Sequence, residues 1–330
     1  MRTAVPVTTQ FACTNCHGTI AAEGADALRC TSCGREFGVI DGIPSFCDTE
    51  AFYEEYLEEH CPFVRNPSRL KAGILRVLPY WSWREWRFFD ASVPAGSRVL
   101  DLGCARGKEW FSAKATFIAG IDPIVSPLRE CARHYDLVAQ ANVTALPFHD
   151  GSFDCVVTSH VIGHVAPDEK DAAFSEIARV LRPGGVSVNI IETDSHHEFA
   201  RLGKSDPDLY RTNFVETDGH VGLELPSAVL SRFERHGFTI ENVRKMESGH
   251  IHLRYYGKYL GKGYPDRYRH VRKRIARWKR ISGNPVLLGA YEVMIGSYHQ
   301  LVEPRRSNLD DAMFIAVAAR KGDPAATLYA

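Results

Sequence analysis

The chain has 330 residues, 45% hydrophobic and 24% charged, with 40 basic side chains against 40 acidic ones. That balance excludes a disordered or fibrous chain and fits one large domain with a small module, or two domains. No basic-then-apolar leader opens the sequence, and no run of about 18 apolar residues is present to span a bilayer. The expected compartment is therefore the cytoplasm, where nine cysteines are expected as thiols or metal ligands and not as disulfides. Residues 1–47 hold two Cys-x-x-Cys pairs and read as short strands and turns. Residues 48–96 start acidic (Glu54, Glu55, Glu58, Glu59), turn aromatic (Tyr80, Trp81, Trp83, Trp86, Phe88, Phe89), and read as a helical lead-in. A βα alternation then begins, and it implies a mainly parallel sheet. Strands are predicted at 97–102, 117–121, 137–141, 154–159 and 186–191, then at 238–244 and 312–319. A helix over 172–181 shows Ala173, Phe174, Ile177, Val180 and Leu181 at helical spacing, stopped by Pro183-Gly184-Gly185. Another runs from Pro226 to about residue 236, before Gly237.

The first strand runs into a glycine loop, Asp101-Leu102-Gly103-Cys104-Ala105-Arg106-Gly107. Glycine lets a backbone approach a ligand closely, and the next helix offers free N–H groups. Asp122 follows 21 positions after Asp101, at the end of the second strand, where a carboxylate would accept both hydroxyls of a ribose. Two further segments, Ala145-Leu146-Pro147-Phe148-His149-Asp150-Gly151-Ser152-Phe153-Asp154 and Ile177-Ala178-Arg179-Val180-Leu181-Arg182-Pro183-Gly184-Gly185, follow in order. With these three segments, residues 97–190 resemble the class I S-adenosylmethionine (SAM)-dependent methyltransferases, nearest to the small-molecule subfamily. The resemblance implies an α/β fold: a Rossmann-like, seven-stranded, mostly parallel sheet with helices on both faces. It implies a methyltransferase domain over 97–322, with lid insertions at 192–225 and 249–306. It also implies a SAM site built from Asp101, Gly103, Cys104, Ala105, Gly107, Asp122, Pro123, Asn142, Val143 and Ser159. Two positions depart from the family: Ala105 replaces the usual middle glycine, tolerable if its φ is negative, and Asn142 replaces an Asp near the adenine amino group.

Methyl transfer needs nucleophile, methyl and sulfur in line and water excluded, and a hydroxyl nucleophile also wants a base. Histidine is the natural candidate. His160 and His220 are the expected catalytic residues, with His164, Glu192, Asp194, His196, His197 and Asp218 nearby in sequence.

Cys13 and Cys16, then thirteen residues, then Cys30 and Cys33 is the spacing of two metal knuckles. Four thiolates around one structural Zn²⁺ is the expected reading, against an iron–sulfur ligand set or a redox pair. The segment Phe37-Gly38-Val39-Ile40-Asp41-Gly42-Ile43-Pro44-Ser45-Phe46 resembles the small zinc-ribbon proteins that activate RNA and protein methyltransferases.

Between the last two strands, residues 254–280 hold eleven basic side chains against Asp266, interleaved with Tyr255, Tyr256, Tyr259, Tyr264, Tyr268 and Trp278. An apolar helix follows, with Leu287, Tyr291, Met294, Tyr298 and Leu301 on one stripe. This insertion reads as a solvated basic cover with the stripe packed on the core, as a nucleic-acid surface, or as a contact for an anionic substrate or a membrane surface. The expected function is methyl transfer to a small molecule, such as a sugar, a glycoconjugate or a natural-product intermediate, on oxygen before nitrogen or carbon. The alternatives are an RNA methyltransferase of the ribosomal-RNA guanine-N type, which also joins a zinc module to this fold, and a non-catalytic SAM-binding regulator.

Overall fold

The computed structural model describes residues 7–24, 26–48, 63–216, 219–247, 253–302 and 308–322. The acidic run at Glu54–Glu59, Cys61 and Asp218 lie outside them. Eleven strands are described: β1 (Ile20–Ala22), β2 (Ala27–Cys30), β3 (Glu36–Ile40), β4 (Ile43–Ser45), β5 (Ser97–Leu102), β6 (Ala115–Asp122), β7 (Leu137–Gln140), β8 (Phe153–Ser159), β9 (Leu181–Glu192), β10 (Phe238–Glu247) and β11 (Phe314–Lys321). They form one sheet in the order β1-β2-β3-β4-β7-β6-β5-β8-β9-β11-β10. The expected seven-stranded sheet is thus corrected to eleven. The seven strands β5 to β11 are its larger part, and the four cysteine-module strands extend its edge.

The reason is local. Asp41 and Gly42 sit at φ 53° and 79°, the left-handed pair of a two-residue hairpin turn, which folds β3 onto β4. That delivers Ser45 beside Gln140, and β4 pairs in parallel with β7. Phe11, Phe37 and Phe46 then pack in the same buried cluster as Leu100, Ile121, Phe148 and Phe153. The module therefore shares its core with the main domain, which answers how so short a segment buries enough apolar surface.

β7, β6, β5, β8 and β9 are mutually parallel, and β11 runs antiparallel to both β9 and β10. Buried runs such as Val99-Leu100-Asp101-Leu102 and Cys155-Val156-Val157-Thr158 suit strands covered on both faces. The helix Lys170–Val180 buries Ala173, Phe174, Ile177 and Val180. The helix Pro226–Arg235 starts on its proline and ends before Gly237, whose φ is 80°.

The two insertions meet each other. Phe199 and Phe214 from the first pack with Tyr255, Tyr256, Tyr259 and Tyr264 from the second, and Tyr264 Oη donates to the Gly203 carbonyl at 2.7 Å. These four tyrosines are at most 7% exposed, so they are not a platform for stacking bases on the outer surface. The apolar stripe of helix Pro285–Leu301 is also corrected. Its inward face is Tyr291, Glu292, Ile295, Gly296 and His299, while Leu287, Met294 and Leu301 are 47%, 51% and 63% exposed. Gly296 sets that orientation, because a Cβ there would fall 1.5 Å from the Pro79 carbonyl oxygen, so the helix seats its glycine on that turn. Among the described residues, no helix is long and apolar enough to cross a membrane.

Candidate active site and metal centres

The carboxyl ends of β5, β6, β7, β8 and β9 open into one cavity of about 850 Å³. Of the ten residues expected to hold SAM, nine line it: Gly103, Cys104, Ala105, Gly107, Asp122, Pro123, Asn142, Val143 and Ser159. Asp101 does not. It is fully buried behind the loop, its Oδ2 accepts from Tyr135 Oη at 2.7 Å, and its Oδ1 has no hydrogen-bond partner. Burial raises its carboxyl above the usual range. Its task is to anchor the turn from beneath, together with Tyr135, whose hydroxyl also accepts from the Lys108 backbone N–H at 2.9 Å.

The loop turns by alternating left-handed residues: Gly103 at φ 65°, Ala105 at 46° and Gly107 at 90°. The expectation of a negative φ at Ala105 is therefore corrected. An L-residue there costs about 1–2 kcal/mol, and Asp122 holds the strained loop. Its Oδ2 accepts from the Ala105 N–H at 2.9 Å and its Oδ1 from the Ile124 N–H at 3.1 Å. Burial pushes the Asp122 carboxyl up to about 6, partly offset by those two N–H donors. Each oxygen keeps a second acceptor direction for a ribose hydroxyl. Asn142 Oδ1 accepts from both the backbone N–H and the hydroxyl of Thr144, at 3.1 Å each, so the side chain that replaces the family's Asp is already committed to an Asx turn.

The far side of the cavity is charged. His160, just past β8, sits at φ 62°, and its N–H donates to the Ile190 carbonyl. Its ring lies between two carboxylates, with Nδ1 2.7 Å from Glu192 Oε1 and Nε2 3.3 Å from Glu85 Oε2. Burial opposes charge on the ring, but the two carboxylates outweigh it and raise its pKa to about 10. With both ring nitrogens engaged by carboxylates, the ring offers no free nitrogen for the base role expected of it in this arrangement. Burial likewise opposes charge on Glu85, and His160 and Arg84 outweigh it, bringing that carboxyl to about 2. Glu192 is held well below its usual range by His160 and His220 despite its burial.

His220 does not reach the cavity wall. Its Nε2 lies 3.5 Å from Glu192 Oε1, and its ring is 5.0 Å from that of His164, which does line the cavity. His164, Glu192 and His220 bring three ligand atoms within 4.8 Å of one another. Sequence reasoning missed Arg84 and Glu85, which stand in the aromatic lead-in, and only the helix Arg84–Ser92 packed beside the sheet brings them here. Arg254 and Lys258, one turn apart, and Tyr255 complete the rim. His196 and His197 face a separate cavity with Arg201 and His270, and the His197 ring accepts from the Phe199 N–H as a helix cap.

In the N-terminal module, the four Sγ atoms of Cys13, Cys16, Cys30 and Cys33 also gather within 4.8 Å. Backbone N–H groups of Asn15 and Ser32 point at Cys13 and Cys30 sulfur at 3.4 Å, the arrangement that stabilises thiolates. The four sulfurs fit a closed tetrahedral Zn²⁺ site.

Residues 100–189, which hold the glycine loop and the acidic residue closing β6, match the family model described as "Methyltransferase domain". The tRNA (carboxymethyluridine(34)-5-O)-methyltransferase ALKBH8 of Macaca fascicularis is 30% identical over 143 residues, 43% of this chain and 21% of its own. The chain therefore spans about a fifth of that relative's length. The ubiquinone/menaquinone biosynthesis C-methyltransferase UbiE of Pasteurella multocida is 34% identical over 131 residues, 35% of this chain and 46% of its own. Among solved structures, the geranyl diphosphate C-methyltransferase of Streptomyces coelicolor A3(2) has a TM-score of 0.45 at 16% identity, covering 73% of this chain and 78% of that one.

Proposed function

We propose that the chain transfers a methyl group from SAM to an oxygen of a small, anionic acceptor, with a Zn²⁺ ion as structural support in the N-terminal ribbon. The observation that carries this reading is a single cavity with two ends. One end is the glycine loop, Asp122 and Asn142. The other is His160, Arg84, Arg254 and Lys258. SAM in the first end would supply an electrophilic methyl, which passes to the acceptor oxygen as the carbon–sulfur bond breaks and the oxygen's proton leaves to solvent. Asp122 would hold the ribose, and the loop N–H groups would meet the methionine end. Arg254 and Lys258 would attract the acceptor's negative charge, as fixed cations on a cleft rim do. His160, with both ring N–H groups engaged by Glu192 and Glu85, would hold these two carboxylates in place at the acceptor end. The aromatic layer of Tyr255 and Tyr259 would exclude water.

The test is calorimetry of zinc-loaded protein with SAM and with its demethylated product, followed by incubation with methyl-labelled SAM and fractionated lysate. Asp122→Ala should weaken SAM binding at least tenfold, since hydrogen bonds to a charged group contribute about 1.5–3 kcal/mol. Label should enter an anionic small-molecule fraction. Absence of heat with either ligand, and an Asp122→Ala protein indistinguishable from its parent, sinks the reading.

A second reading, RNA methylation, draws support from the ALKBH8 relative and from helix Arg269–Ser282. That helix exposes Arg269, Arg272, Lys273, Arg277, Lys279 and Arg280. Salt-dependent retention on tRNA, with label entering that pool, would favour it. The burial of the four insertion tyrosines weighs against it, because stacking on bases needs exposed rings.

A further inference from the structure

We propose that His164, Glu192 and His220 form a second metal site, for a first-row divalent transition cation, beside the acceptor end of the cavity. The three side chains come from separate segments: the turn Ile162–His164, the end of β9, and the stretch after Gly219. Two glycines press these segments together. The Gly222 N–H donates to the Gly163 carbonyl at 3.0 Å, and a Cβ on Gly222 would lie 1.9 Å from the Val165 carbonyl oxygen. A Cβ on Gly163 would meet Glu192 at 3.2 Å. The ligand atoms thus lie within 4.8 Å of one another on a backbone that cannot spread.

Two observations point to a cation and not merely to a polar cluster. First, Glu192 is 8% exposed and its Oε2 has no hydrogen-bond partner, while Oε1 is taken by His160. A buried carboxylate oxygen left so is desolvated without compensation, and a metal ion would satisfy it. Second, His164 Nδ1 lies 3.1 Å from the Gly219 carbonyl. That carbonyl can only accept, so Nδ1 carries a proton and Nε2 is the nitrogen that a neutral ring would offer to a metal, as in ligating histidines oriented by a backbone acceptor. Two imidazoles and one carboxylate suit Mn²⁺, Fe²⁺, Co²⁺ or Zn²⁺, whereas Mg²⁺ and Ca²⁺ prefer oxygen donors. A cation here would take the acceptor oxygen and acidify its hydroxyl, a role that rests on the methyl-transfer reading. The binding test below does not rest on it.

The full chain, with its ribbon already zinc-loaded, is titrated with Mn²⁺ followed by electron paramagnetic resonance, and with Co²⁺ followed by visible absorption. One further ion should bind per chain, and its Co²⁺ spectrum should lack thiolate charge-transfer bands. His164→Ala and His220→Ala should each weaken that binding at least tenfold, the scale on which even an outer partner of a metal ligand matters. His196→Ala, in the separate cavity, should bind as the parent does. Where a histidine variant does not fold, the isosteric Glu192→Gln decides, with the same loss expected. The proposal is overturned if neither ion binds beyond the ribbon, or if the ligand variants bind as tightly as the parent and only a His220–Glu192 ion pair remains.

Discussion

At the scale of single residues, the cofactor loop is held by one carboxylate at the expense of one strained alanine. Ala105 occupies the left-handed region where glycine is at ease. Ala105→Gly should therefore stabilise the fold by about 1 kcal/mol, the strain relieved less the extra freedom of an unfolded glycine, and denaturant midpoints would register it. If Asp122 holds the ribose as proposed, SAM affinity should depend on pH. Burial pushes the Asp122 carboxyl up to about 6 in the free protein, and an ionised carboxylate is the form that would accept both ribose hydroxyls. Affinity should fall as pH drops through about 6, which calorimetry from pH 8 to pH 5 measures. The sign for stability is opposite. A carboxyl whose folded pKa is raised contributes stability at low pH, and that contribution fades as pH rises through 6. Asp122→Ala should therefore abolish the pH dependence of affinity over that range. Much of this loop was legible, because strand, glycines and a spaced acid form a local pattern. The sign of φ at Ala105 was not, since it depends on Asp122 drawing the Ala105 N–H inward. Glu85 was equally hidden, because nothing in an aromatic segment says which of its charged side chains will face a sheet it has yet to meet.

At the scale of elements, periodicity identified the apolar face of helix Pro285–Leu301 but not which way it points. Leu287, Met294 and Leu301 share a face by spacing, yet Gly296 is the residue that fits against Pro79 and turns them outward. The strands beneath were easier, since buried parallel strands are continuous apolar runs bounded by turns. The four-stranded N-terminal module was legible as a candidate metal site from its cysteines, but not as an extension of the sheet. That union rests on Phe11, Phe46 and Phe148 meeting across the boundary. Because the core is shared, ribbon and main domain should melt together. Chelation of the ribbon metal, or Cys16→Ser, should lower the melting temperature of the whole unit by several degrees within one transition, since structural zinc is itself folding energy. Calorimetry showing an unchanged main transition would refute that coupling.

At the scale of the whole molecule, two insertions distant in sequence close into one aromatic layer over the sheet's carboxyl ends, and a ribbon lengthens the opposite edge. The ribbon's last strand also reaches the border of the cavity. Ser45 Oγ donates to Gln140 Oε1 at 2.7 Å, and Gln140 Nε2 donates to the Pro123 carbonyl at 2.8 Å, where Pro123 borders the cofactor cavity. Ser45→Ala should accordingly hasten SAM release a few-fold, readable by stopped flow, although residue 45 lies outside the cavity. If the cavity holds SAM as proposed, a module that looks like packaging lies two hydrogen bonds from the pocket wall, and disturbing its four sulfurs should shorten the time a nucleoside stays there.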